Sequence, residues 1–369
     1  MDNWTTARLT HKLNHPECLH PGLDCDFETE GNILNLTPHY ICNTMPDVDV
    51  IIGSPPCISF STSNKAGKAD KTLGVKLIKK YLQIIAIKKH KSHTTLKYWL
   101  MENVPNSQFY IKSEYTFEDL DLDTNTLHEL GIKKSSQAIA LKVSESGVFN
   151  AVAFGVPQKR ERFVCGYFPK PKPKTLNPPD WVSLGKIVSS LKKKSTIIDP
   201  NFGFHIPNNQ LTDHFYDTII PRFEWEEAKI KKQQARYYGK MSFPEDESKP
   251  SRTIMATRSV LSRESMILPN GRPNYYRSPT VREVATIMSF PITYQFQANN
   301  ESTKYRLVGN AVCPKLSFAF AEEILKKENI RLKCSYNPKT DVSKLMVNLR
   351  TQNPPKKKPR DKHPRANFA

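Results

Sequence analysis

The sequence contains no run of about 18 consecutive apolar residues, the minimum for a helix that crosses a bilayer, so no membrane-spanning segment is expected. Its opening stretch, MDNWTTARLTHK, lacks the apolar core of a secretory leader. The expectation is a soluble intracellular protein, in the cytoplasm or nucleoid, or in the nucleus of a eukaryotic or viral host. Acidic residues are also scarce: 36 Asp and Glu stand against 55 Lys and Arg, a formal net charge of +19. Such an excess points to a polyanionic partner, most often nucleic acid, although composition alone does not separate DNA from RNA. The seven cysteines are odd in number and scattered, which excludes a disulfide framework and leaves free thiols in a reducing compartment. In HPECLHPGLDC (15–25) two histidines stand beside two cysteines, but their spacing matches no familiar zinc cluster and no metal site is expected.

What is present centres on GSPPCISFS (53–61). The preceding DVDVIIG (47–53) is rich in β-branched residues and ends at Gly53, the pattern of a buried parallel strand. Cys57 then stands at a strand's carboxyl end, where open α/β sheets bind ligands, on a turn stiffened by Pro55 and Pro56. A buried structural cysteine is the competing reading. The polar stretch 61–74 reads as a mobile loop over the thiol. KLIKKYLQIIAIKKH (76–90) has helical spacing, with Leu77, Ile78, Tyr81, Leu82 and Ile85 on one face. YWLMENV (98–104) gives a second buried strand, and Glu102 near its end is costly to bury without a partner or a chemical role.

Further along, GNILNL (31–36) is expected to end a short strand, and residues 106–146 to be irregular with an acidic face. FNAVAFGVPQKRERFVCGYF (149–168) reads as a hairpin, with period 2 placing Arg160 and Arg162 on one face as donors to carbonyl or phosphate oxygens. A proline-rich connector, PKPKPKTLNPPDW (169–181), marks a boundary. Beyond it lie a helix over 183–194 and a basic, aromatic region that would suit a phosphate backbone. In SPTVREVATIMSFP (278–291), Thr280 and Glu283 have capping-box spacing at the start of a helix. KYRLVGNAVCPKLSFAFAEEILKK (304–327) is expected to form a short strand, a turn at Gly309 and Asn310, and a long amphipathic helix. A basic tail closes the chain, its run KKKPRDKHPR reading as solvated and disordered.

Pro-Cys at 56–57, Glu-Asn-Val at 102–104, Gln-x-Arg-x-Arg at 158–162, RSPTVREVATIMSFP and GNAV at 309–312 occur in an order that closely resembles the cytosine-5 DNA methyltransferase family. The resemblance covers roughly residues 31–327. It implies an α/β fold, a Rossmann-like methyltransferase sheet with a smaller inserted target-recognition domain. The domains are then a catalytic core over 1–168, the recognition domain over 169–276, a return to the core over 277–349 and the basic tail over 350–369. It also implies S-adenosylmethionine as cofactor and double-stranded DNA as substrate, with the target base flipped out of the helix. By the same resemblance Cys57 is the nucleophile, Glu102 the acid at the cytosine edge, Arg162 a donor to the ring carbonyl, and Arg160 a support for that site or a phosphate. Asn32, Ile33, Pro55, Leu77, Asn310 and Val312 fall where the family holds its cofactor, and Ser61 and Ser63 where it contacts DNA.

Two departures stand out. The family's opening Phe-x-Gly-x-Gly is not found, so the sheet is expected to lack its first strand; a downstream start, a second polypeptide carrying the motif, or a degenerate copy would each explain it. Ile58 stands where Gln is common. A catalytically silent or split DNA-binding subunit is therefore the alternative to an active restriction-modification, phage or viral enzyme. An RNA methyltransferase of the tRNA-modifying branch is disfavoured by the lack of a Cys-Phe-Thr signature.

Overall fold

The computed structural model describes residues 2–20, 32–57, 59–60, 70–175, 177–192, 195–214, 219–234, 241–256 and 258–331. Strands β1 (Val50–Gly53) and β2 (Tyr98–Asn103) pair in parallel, as their apolar runs predict. A small antiparallel pair follows, β3 (Glu114–Thr116) with β4 (Ile139–Lys142), and then the expected hairpin of β5 (Glu145–Asn150) and β6 (Glu161–Tyr167). β6 runs antiparallel to β2, so the main sheet has the order β1-β2-β6-β5.

The sheet separates two cores, which is why β2 is apolar on both faces. Tyr98 and Leu100 join one core with Phe149 and Val164, and Trp99 and Met101 join the other with Phe163 and Cys165. The second core is covered by helix α3 (Thr72–His90), which is buried nearly all round over Leu82–Ile87; α1 (Thr5–Asn14) and α2 (Pro38–Asn43) precede it. On the first face lie α7 (Val281–Ile287), α8 (Glu301–Asn310) and α9 (Pro314–Lys327), and Leu184, Ile187 and Val188 of α5 (Leu184–Ser190) share that core. The predicted capping box is present: Thr280 accepts from the Glu283 N–H at 3.1 Å, and Glu283 Oε2 accepts from the Thr280 N–H at 2.8 Å. A separate small core of Ile220, Trp225, Ala228 and Ile267 forms around α6 (Arg222–Gln233).

Three local expectations fail for identifiable reasons. Residues 33–35 form a 3-10 turn rather than a strand, because Asn32 caps it, its side chain accepting from the Leu34 N–H at 3.1 Å. Residues 304–308 lie inside α8 rather than in a strand, since Asn300 caps that helix by accepting from the Thr303 N–H at 2.8 Å. The stretch 106–146 is built rather than irregular: it holds β3, β4 and α4 (Thr124–Glu129), with Phe117, Leu120, Leu122 and Leu127 fully buried. Its acidic residues close turns, as where Asp123 accepts from the Thr126 N–H at 2.7 Å, and its apolar residues follow no single period.

Candidate active site

The carboxyl ends of β1 and β2 lie side by side, with Gly53 opposite Met101, so the next residues, Ser54 and Glu102, emerge together. Gly53 is demanded by packing: a Cβ there would lie 2.3 Å from the Tyr81 ring, whose hydroxyl donates to the Leu100 carbonyl at 2.7 Å beneath the site. Pro55 is buried, and its carbonyl accepts from the Asn103 side-chain NH2 at 2.9 Å, while Asn103 Oδ1 accepts from the Val104 N–H at 2.8 Å. One buried amide thus ties the Pro-Pro-Cys turn to the end of β2. Beyond it the Cys57 carbonyl accepts from the Phe60 N–H at 2.9 Å, and buried Phe60 pins the far side of the turn. Cys57 itself is a free, half-buried thiol.

Glu102 and Arg162 are paired: Arg162 Nε lies 2.9 Å from Glu102 Oε1, with side-chain exposures of 13% and 15%. The pairing follows from strand order, because β6 lies beside β2 and Glu102 faces Val164, two residues along from Arg162. The other carboxyl oxygen, Oε2, is 2.5 Å from Ser54 Oγ. Both oxygens of the carboxylate are therefore oriented before any substrate arrives.

Arg160 is bonded within the protein, on the side of the sheet that β6 shares with Val164 and Ile254. It precedes β6, is only 2% exposed, and donates to the carbonyls of Ile254 (3.1 Å), Gly309 (2.9 Å) and Ala311 (3.1 Å). Burial lowers its pKa from 12.5 to about 10, with repulsion by Arg162 adding to that and the charges of Cys313, Glu102 and Cys57 opposing it. It is thus an anchor, within electrostatic reach of the site, rather than a group that touches a base or phosphate. Through it Gly309–Val312 is drawn to the same edge as Cys57; Gly309 and Asn310 are the last residues of α8 rather than the expected turn, which falls after them. Gly309 itself is packed so closely that a Cβ would lie 2.7 Å from the Met255 carbonyl. Buried Cys313 follows, its thiol pushed up to about 11 by desolvation.

Asn310 is exposed at the end of α8, and Val312 is half-buried between α8 and α9. Asn32 and Ile33 form the turn that packs on α3, where Leu77 is buried one turn after Gly74; a Cβ on Gly74 would meet Ser59 and Phe60 beside Cys57. Ser61 and Ser63, like Ile58, lie outside the described residues. Among the described residues no group of three or more His, Cys, Asp or Glu could hold a metal, and no helix is long and apolar enough to cross a membrane. His11 and His20 instead bond to each other at 2.9 Å. Sequence reasoning gave no role to Ser54 or Asn103, although their places in Ser-Pro-Pro-Cys and Glu-Asn-Val were the available signal.

The sequence profile of the C-5 cytosine-specific DNA methylase family matches residues 2–326. The Type II methyltransferase M.MthTI of Methanothermobacter thermautotrophicus is 28% identical over 344 residues, covering 88% of each chain. M.DdeI of Desulfomicrobium norvegicum, also a Type II methyltransferase, is 25% identical over 370 residues, covering 88% of this chain and 81% of its own. Among solved structures, the Entamoeba histolytica methyltransferase EhMeth superposes with a TM-score of 0.54 at 14% identity, covering 89% of both chains. The S. pombe Dnmt2 methyltransferase gives 0.52 at 16%, covering 89% of this chain and 90% of its own. These likenesses show the fold, a Rossmann-like α/β methyltransferase architecture.

Proposed function

The chain belongs to the C-5 cytosine-specific DNA methylase family, and on that footing we propose that it methylates carbon 5 of cytosine in a specific duplex DNA sequence, using S-adenosylmethionine. The observation that carries this reading is the convergence of Cys57, Glu102 and Arg162 at one sheet edge, with both Glu102 oxygens already held.

Carbon 5 of cytosine is a weak nucleophile until a nucleophile adds at carbon 6, and a thiolate does this well. Cys57 sulfur forms that bond. Glu102 holds a proton at ring nitrogen 3, so the electron pair displaced from the 5,6 double bond is stabilised in the ring, and Arg162 donates to the ring carbonyl oxygen. Loss of the carbon 5 proton to solvent water then expels the Cys57 thiolate, restores the double bond and leaves the ring nitrogen 3 proton with Glu102 again. The base must leave the helix for this, since a stacked ring exposes neither face. Ser61 and Ser63 are proposed as phosphate contacts, and the region 169–276 with its separate small core as the recognition domain.

S-adenosylmethionine, when bound, supplies the methyl group. The residues proposed to hold it are Asn32, Ile33, Pro55, Leu77, Asn310 and Val312, and they suit it in kind: apolar side chains and amides, with no cation among them to repel its sulfonium.

The test is transfer of labelled methyl groups from S-adenosylmethionine to duplex DNA by the purified chain. Cys57→Ser should abolish transfer, and robust labelling by that variant would refute the nucleophile assignment.

A second reading, a DNA-binding subunit that needs a partner polypeptide for catalysis, is favoured by one observation. Among the described residues the outer edge of β1 pairs with no strand, and Ile52 on it is 73% exposed. A parallel apolar strand from a partner would cover that edge and bring its following turn beside Pro55 and Cys57. Methyl transfer by the chain alone at an ordinary enzymatic rate would dismiss this reading.

A further inference from the structure

We propose that Ser54 is a positioning residue for Glu102 and its proton conduit to solvent, a role that rests on Glu102 acting as the acid at the cytosine edge. The carboxyl group is held from two sides. Arg162 Nε, from β6, lies 2.9 Å from Oε1, and Ser54 Oγ, from the end of β1, lies 2.5 Å from Oε2. These partners differ in what they can do. A guanidinium only donates and keeps its protons throughout the working pH range, so it orients the carboxylate without exchanging a proton with it. A hydroxyl both donates and accepts.

Ser54 is exposed, whereas the Glu102 side chain is 15% exposed, so the hydroxyl stands between the carboxyl group and water. Its position is fixed from both directions. On one side the β1–β2 register sets Ser54 beside Glu102; on the other, Pro55 and Pro56 restrict the backbone and Asn103 holds the Pro55 carbonyl at 2.9 Å. The charged and titratable groups that act on the carboxyl are Arg162, Arg160 and Cys313, and Cys57 acts on the same Arg160. Of these the arginines keep their protons, Cys313 is buried, and Cys57 is engaged with the base.

Glu102 must hold a proton when Cys57 adds. That proton is shared with ring nitrogen 3 during the addition and returns to the carboxyl group as the thiolate leaves, so exchange with solvent serves to load the carboxylate before the addition. In the proposed step a hydronium ion gives a proton to Ser54 Oγ as Ser54 passes its own hydroxyl proton to Glu102 Oε2. Water is left in solvent, the serine hydroxyl ends as it began, and the carboxylate becomes the carboxylic acid. No other reactant is needed.

The experiment compares the full wild-type chain with Ser54→Ala, Ser54→Thr and Glu102→Gln, using duplex DNA and two readouts. One is methyl transfer; the other is exchange of the cytosine C5 hydrogen for solvent deuterium, which Cys57 addition permits without a methyl donor. Ser54→Ala is expected to lower kcat for both by roughly tenfold while KM for DNA stays within about twofold, because the hydroxyl acts after the base is bound. Ser54→Thr, which keeps a hydroxyl at the same place, is expected to recover most of the loss. Wild-type kcat in Ser54→Ala, or equal loss in Ser54→Ala and Ser54→Thr, would overturn the proposal. The underlying reading fails separately: a Glu102→Gln variant as fast as wild type removes Glu102 as the acid, and a wild-type chain that neither methylates nor exchanges removes the methyltransferase activity on which both roles rest. Loss in Glu102→Gln with an unaffected Ser54→Ala removes Ser54 alone.

Discussion

Replacing Arg160 with methionine, an unbranched side chain that keeps the aliphatic stem without the charge, should weaken the fold by about 2–5 kcal/mol. The guanidinium donates to three carbonyls on two separate segments, Ile254 on one and Gly309 and Ala311 on the other, at 2.9–3.1 Å. Its burial is costly. A pKa lowered from 12.5 to about 10 corresponds to roughly 3 kcal/mol against the charged form, at about 1.4 kcal/mol per unit. Hydrogen bonds from a charged donor contribute about 1.5–3 kcal/mol each, so three of them outweigh that cost by several kcal/mol. Methionine removes both sides of the balance and leaves three carbonyls without this donor. The assay is urea unfolding followed by circular dichroism, with Arg160→Lys as the control that keeps charge but loses the fork. The pH dependence has a definite sign. A base whose folded pKa is lowered leaves the folded chain with fewer protons than the unfolded chain only above about pH 10, and below that its contribution is flat. The gap between wild type and Arg160→Met should therefore be constant from about pH 6 to 9. An Arg160→Met chain within about 0.5 kcal/mol of wild type at unchanged m-value would refute the anchor role.

Two further outcomes are expected. Arg277 and Glu283 form a buried two-bond ion pair, each bond 2.7 Å, with exposures of 5% and 0%, and Glu283 also caps α7. Glu283→Gln should cost about 3–5 kcal/mol, because it removes the carboxylate charge that faces a buried guanidinium; thermal unfolding with an unshifted midpoint would contradict this. Asp47 accepts from Lys91 and from Lys88, whose side chain is 2% exposed, and the Lys88 bond first, then that of Lys91, lowers its pKa from the ordinary 3.8. A carboxylate with a lowered folded pKa stabilises fully above its unfolded value and loses that contribution as pH falls through the folded one. Asp47→Asn should therefore be less stable than wild type at neutral pH and converge with it in acid, and parallel stability curves down to about pH 2 would exclude the linkage.

Much of the architecture was legible because burial writes simple periods. The β-branched run before Gly53 and the two-sided apolar run of β2 announced parallel strands, Thr280 and Glu283 announced the start of α7, and the apolar arms at 149 and 163 announced the hairpin. The misread stretches share one cause. At Asn32 and Asn300 a side-chain cap turned a short apolar run into a 3-10 turn or a helix, and such a cap outweighs weak β propensity. Over 106–146 the apolar residues are fully buried, but they serve turns, short strands and a short helix in succession, so no period survives.

The sequence alone determined which chemical groups this chain carries and in what order: a thiol on a proline-stiffened turn, a carboxylate at the end of an apolar strand, and two arginines a residue apart. Only the tertiary structure decided what each of them faces. Because β6 lies antiparallel beside β2, Arg162 meets Glu102; because Arg160 precedes that strand, its guanidinium turns inward and holds the Gly309–Ala311 carbonyls instead. Likewise the parallel register of β1 and β2, which no local pattern specifies, set Ser54 against a carboxyl group 48 positions away. Local propensity and burial act along the chain and can be read there, whereas the pairing of strands is a non-local balance of packing and hydrogen bonding that exists only in the folded molecule.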